Sequence, residues 1–124
     1  MSDTREHLFD DDNFVVSCHL WFVGPADNPP TIELLVPRLL RVEGTSRSCI
    51  VGFTDSDLAL QFVDVLKRAR PTTPQLRPIG FVIVDELRRF LQSLEKLGET
   101  HIGIDPGLKS VRMVSIAKIV SAID

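Results

Sequence analysis

The stretch "SCIVGFTDSDLALQFVDVLKRAR", residues 48–70, decides the fold. Its first six residues alternate so that Cys49, Val51 and Phe53 share one face, which is the period of a β-strand. At Thr54 the period changes. Thr54 or Asp55 can accept the unpaired N–H groups of a helix start, and Asp57 sits in the first turn where the helix dipole favours an acid. Leu58, Phe62, Val65, Leu66 and Ala69 then recur at helical spacing, with Gln61, Asp64, Lys67 and Arg68 elsewhere, and the basic Lys67, Arg68 and Arg70 suit the negative end. A strand that runs directly into an amphipathic helix calls for a sheet layer and a helix layer.

Working outward, "FVVSCHLWFVG" (14–24) alternates between an apolar set, Phe14, Val16, Cys18, Leu20 and Phe22, and a mixed set, Val15, Ser17, His19, Trp21 and Val23. This predicts a strand with one face in the core. "GPADNPPT" supplies turn residues, and "IELLVPRLLRVEG" (32–44) reads as a second strand interrupted at Pro37, whose missing N–H argues for an edge or a bulge. "GTSRS" turns the chain into the strand at 48–53. Beyond the helix, "PTTPQLRP" (71–78) is a proline-rich linker, and the apolar run "IGFVIV" (79–84) has the length of a buried central strand. Asp85 is placed to cap a helix with the stripe Leu87, Phe90, Leu91, Leu94 and Leu97, stopped by Gly98. "HIGI" (101–104) is a short strand, "DPG" a turn, "VRMV" another strand, and "SIAKIVSAI" a last helix capped by Ser115. The expected class is α+β: a single mixed, largely antiparallel sheet of about five strands with two long helices and a short C-terminal helix.

The chain has 124 residues, 44% of them hydrophobic, enough for one core. Residues 1–13 carry five acids against Arg5 alone and lack apolar periodicity, so they read as a mobile acidic tail, leaving 14–124 as one globular domain. No apolar run reaches the roughly 18 residues of a membrane span, and the start has neither the basic nor the apolar segment of a signal peptide, so a soluble, cytoplasmic protein is expected. Cys18 and Cys49 lie in apolar strand-like runs and are expected as reduced core thiols, ahead of a disulfide. The body beyond the tail holds twelve acids and thirteen bases, too balanced for electrostatic capture of nucleic acid unless Arg38, Arg41, Arg47 and the basic stretch 67–77 line up in one stripe. That stretch is otherwise a helix end and a solvated linker, or a dock for the Asp10–Asp12 segment.

"HIGIDPGLKS" (101–110) is the most suggestive motif. Pro106 and Gly107 suit the two corners of a type II turn, and Asp105 can hydrogen-bond the turn backbone, so each residue has a structural task. The functional alternative is a small-ligand or enzymatic pocket built from His19, His101, Asp105 and Lys109, with His101 and Asp105 as a proton-transfer pair. The histidines do not cluster, no CxxC or CxxH holds zinc, and no nucleophile elbow, phosphate loop or dinucleotide fingerprint occurs, so no metal or cofactor is expected. Trp21, on the mixed face of its strand, is a candidate interface anchor, and with Leu35, Leu39 and Leu40 it exceeds what one thin core needs.

The segment "FTDSDLALQFV", entered from a short strand, then a proline-rich connection, a second helix and "GIDPG", resembles the SseB-like domain named after the enhanced-serine-sensitivity protein of bacteria. The matching residues are Phe53, Thr54 and Asp55 at the helix start and Asp105, Pro106 and Gly107 at the turn, over roughly residues 32–122; the family commonly has asparagine where this chain has Asp105. The resemblance implies a small bacterial α+β binding or scaffold domain and carries over no catalytic residue. The expected function is therefore a non-catalytic bacterial domain acting through a protein partner or as a homodimer, through an exposed sheet face or the broken edge near Pro37.

Overall fold

The computed structural model describes residues 7–10, 19–27, 29–43, 48–72, 75–106 and 110–123. The strands are β1 (His7–Asp10), β2 (Leu20–Pro25), β3 (Arg41–Glu43), β4 (Ser48–Phe53), β5 (Leu76–Phe81), β6 (His101–Ile104) and β7 (Ser110–Ser115). They form one sheet in the order β1-β7-β6-β4-β2-β5, with β3 paired to β4. The β1/β7 and β4/β6 pairs are parallel and the other pairs antiparallel, so the chain is α+β with a mixed, largely antiparallel sheet. Four helices accompany it among the described residues: α1 (Ile32–Leu35), continued by a 3-10 turn at Val36–Arg38, α2 (Ser56–Ala69), α3 (Val84–Lys96) and α4 (Ile116–Ile123).

The order of strands explains where the long helices lie. The connection from β4 through α2 to β5 moves across the sheet in one direction, and that from β5 through α3 to β6 moves back. Both join parallel strands, and right-handed crossovers in opposite directions put their helices on opposite faces. One core accordingly joins Leu20, Phe22, Ile50, Ile102 and Ile104 of the sheet to Leu87, Phe90, Leu91 and Leu94 of α3 and Ile116 and Ile119 of α4. The other joins Val23, Cys49, Val51, Phe53, Val111 and Met113 to Ala59 and Val63 of α2. The face shared by Cys49, Val51 and Phe53 is as the alternation predicts, and Cys49 is a buried thiol; Cys18 lies outside the described residues. The mixed face of β2, however, is also core, because α2 covers it: Val23 is buried and Trp21 packs against this second cluster.

Helix ends follow local chemistry. The Asp55 carboxylate accepts the Asp57 N–H at 2.8 Å and caps α2. Gly98, at φ +94°, follows α3 as expected; its N–H reaches the Glu95 carbonyl and that of Glu99 reaches Leu94, the paired bonds of a left-handed helix stop. Asp85 is not the α3 cap. Ile83 occupies that position without a side-chain bond, and Asp85 lies in the first turn paired to Arg88 at 2.8 Å.

Other expectations are corrected. Residues 32–40 form no strand: Thr31 Oγ1 accepts the Leu34 N–H at 3.3 Å to start α1, and Pro37 sits in the first turn of the 3-10 segment, where a missing N–H costs nothing. Only Arg41–Glu43 is extended into β3. The run at 79–84 is not a central strand. β5 begins earlier, includes Pro78 and lies at the edge of the sheet, which is where proline is tolerated, while Val82 and Ile83 are exposed and Val84 opens α3. Within the segment expected as a tail, His7–Asp10 pairs in register with Ser110–Met113, since backbone pairing is open to any side chain; residues 1–6 and 11–18 lie outside the described residues. β1 and β5 are opposite edges of the sheet, and Asp11 and Asp12 of the expected docking segment lie outside the described residues.

Candidate functional site

β4 and β6 run parallel and end side by side, Gly52 opposite Ile104. The next residue, Asp105, donates its N–H to the Gly52 carbonyl at 2.9 Å and takes a left-handed backbone, φ +46°, a conformation that aspartate tolerates better than most residues. This turns its carboxylate back onto the start of the helical connection. One oxygen accepts the Thr54 N–H at 2.9 Å and the other accepts the Thr54 hydroxyl at 2.7 Å. Thr54 adjoins the cap Asp55, so the turn after β6 fixes the point from which α2 departs. The two segments that carry the sequence resemblance, 53–55 and 105–106, are thereby hydrogen-bonded neighbours.

Between α2 and this turn lies an open groove of about 280 Å³, floored by Phe53, Phe62 and Pro106, edged by Leu58 and Val65, with Gln61 and Asp105 as its polar lining. It exists because the apolar arc of α2 is wider than the sheet uses. Ala59 and Val63 are buried, while Leu58 and Val65, about a third of a turn around the helix, are 39% and 60% exposed. The predicted stripe Leu58, Phe62, Val65, Leu66 and Ala69 is thus rotated away from the core: Phe62 and Leu66 are half-buried, and the rest face outward. Two adjoining apolar stripes stand in the sequence of α2, and only one can face the sheet. That surplus was the signal for the groove.

The residues proposed for a chemical pocket do not converge. Asp105 lies at the groove, at the end of β6, whereas His101 lies at the start of β6, roughly 13 Å away along the strand, with Nδ1 2.9 Å from the Thr100 hydroxyl. His19 is exposed just before β2, at the same end of the sheet as Asp105 but beyond the β4–β2 pairing. Lys109 and Gly107 lie outside the described residues. A proton-transfer pair of His101 and Asp105 is therefore excluded by the length of a strand. Among the described residues, no three His, Cys, Asp or Glu side chains gather as metal ligands would.

The interface candidates are also redirected. Leu39 is 4% exposed in the first core, Leu35 packs against that core, and Leu40 against the second. Trp21 is half-buried and lies across Gly80, its partner on the edge strand β5, where any Cβ would overlap the indole. These four side chains complete two cores in place of one thin one. Of the arginines considered for a basic stripe, Arg41 pairs with Glu99 at 2.9 Å, Arg38 grips Asp27 through two bonds of 2.8 and 2.9 Å, and Arg47 lies outside the described residues. The Arg38 hydrogen bonds hold the Asp27 carboxyl below its ordinary value and raise the guanidinium in return.

No family model, curated protein or solved structure matches the chain. Among the described residues, no helix is long and apolar enough to cross a membrane.

Proposed function

We propose that this chain is a non-catalytic protein-interaction domain and that the groove along α2 is its contact surface. The observation that carries this reading is the exposure of Leu58 and Val65 beside Phe53, Phe62 and Pro106, an apolar patch gathered around one groove at the rim of the second core. The groove is shallow and open, a shape that takes the flank of another protein's helix rather than enclosing a small molecule on most sides. Among the described residues that line it, the ionisable one is Asp105, and both its carboxylate oxygens accept bonds from Thr54, so that carboxylate serves to hold the turn. On the same footing we assign the chain to the bacterial, cytoplasmic SseB-like domains, a reading supported by the contact between its two motif segments.

Photo-crosslinking in cells tests the groove directly. A benzophenone amino acid replacing Val65 is expected to give a light-dependent protein adduct that Leu58→Glu abolishes, while the same probe at exposed Gln92 on α3 gives none. Equal labelling from both positions, or none from Val65, would remove the groove as a contact surface.

A further inference from the structure

Resting on the groove as a contact surface, we infer that its occupant is a second copy of this chain, with the two α2 helices packed antiparallel about a twofold axis. The first ground is spacing. Leu58, Phe62, Val65 and Ala69 follow one another at intervals of four, three and four residues, the repeat of a seam that meets another helix. An extended peptide has period two and would match only part of it. The antiparallel alignment that pairs Phe62 with the second copy's Val65 also pairs Leu58 with the second copy's Ala69, and a twofold axis makes every such contact twice.

The second ground is charge. Along the exposed flank of the seam, α2 is acidic at its start and basic at its end: Asp57 precedes Leu58, and Arg68 precedes Ala69. A parallel pair would set like charges together, whereas the antiparallel pair sets Asp57 of each copy beside Arg68 of the other. Among the described residues, neither of these two exposed groups is ion-paired within its own chain. A helix surface with an apolar seam and a charge gradient that is complementary to itself under reversal fits its own copy. The seam spans only the 14 residues of α2, less than a standard stable interface needs, so the dimer is weak and concentration-dependent.

Sedimentation velocity and light scattering on the full chain over a wide concentration series test this. The expected mass rises from 13.9 kDa toward twice that value with increasing concentration. Val65→Glu keeps the circular dichroism of the parent and remains monomeric throughout. Asp57→Arg or Arg68→Asp alone raises the dissociation constant roughly tenfold, and the two together, which restore opposite charges across the axis, return it to within about threefold of the parent. A strict monomer at the highest concentration, or a dimer indifferent to Val65→Glu and to the charge exchange, would overturn the inference. Crosslinking from position 65 separates the levels: an adduct to a different protein with a monomeric chain removes the second copy but keeps the groove, and no adduct of either kind removes both.

Discussion

Asp105 carries two separable duties, and substituting it measures each. Its carboxylate accepts two bonds from Thr54, at 2.9 and 2.7 Å, in a half-buried setting. Partial exposure brings each down to about 1 kcal/mol net, so losing the pair costs about 2 kcal/mol. Its backbone is left-handed, φ +46°, which costs alanine about 1 kcal/mol more than it costs glycine or asparagine. Asp105→Ala should then destabilise by about 3 kcal/mol and Asp105→Gly by about 2 kcal/mol. Asp105→Asn should cost less than about 1 kcal/mol: the amide oxygen can take the Thr54 N–H, and the amide nitrogen can donate to the Thr54 hydroxyl, which also accepts. For a chain of this length the alanine variant should melt about 10 °C lower. Urea unfolding followed by the fluorescence of Trp21, the chain's one tryptophan, reads all three. Should the glycine variant be no more stable than the alanine variant, the backbone term is wrong. An asparagine variant as unstable as alanine would show that the link to Thr54 does not hold the turn.

Three further outcomes follow from the packing. Gly80→Ala should lift the Trp21 indole off β5, shifting its emission and costing about 1–3 kcal/mol by overpacking; an unchanged spectrum would place the ring elsewhere. Leu91→Ala, at a fully buried position of α3, should cost about 2–5 kcal/mol in denaturant titrations, and Leu97→Ala, 43% exposed at the end of α3, less than about 1 kcal/mol. Arg38→Ala should raise the Asp27 carboxyl toward its ordinary value, as followed by carboxyl NMR. Because the folded value is the lower one, the pair stabilises the parent above the ordinary carboxyl range and that advantage disappears as pH falls through the lowered value; a stability gap between parent and variant that persists in strong acid would contradict this.

The parts of the fold legible in the sequence are those where one local rule acts alone. α3 is such a case: its stripe has a single direction, Leu87, Phe90, Leu91 and Leu94 all turn inward, and Gly98 ends it. In 32–40 two rules compete. A dense apolar run read as a strand, but Thr31 and a proline in an early-turn position favour a short helix, and the spacing of Leu35, Val36 and Leu39 suits one. The run at 79–84 reads as a buried central strand, but Pro78 belongs to the strand and not to the linker, and β5 is an edge. The candidate site was partly legible. Asp105, Pro106 and the start of α2 stand out as motifs, but the bond between Thr54 and Asp105, 51 residues apart, depends on β4 and β6 being parallel neighbours, which periodicity cannot supply.

Why the surplus apolar surface sits on α2 and not on α3 is a matter of topology. On the face that holds α3, α4 packs alongside it and Arg88 of α3 donates to the Ile123 carbonyl, so that flank is covered. On the opposite face, among the described residues, α2 packs over β5, β2 and β4 with no helix beside it, and its side toward β6 meets only the turn at 105–106. A helix alone on a sheet needs an apolar arc wide enough for the sheet and no wider, and Ala59, Val63 and the inner edges of Phe62 and Leu66 provide that. Leu58 and Val65 belong to neither core cluster, and replacing them with polar residues should cost the monomer no more than about 1 kcal/mol while removing association. A larger loss of monomer stability would mean that they are part of the fold after all, and that the groove needs no occupant to account for it.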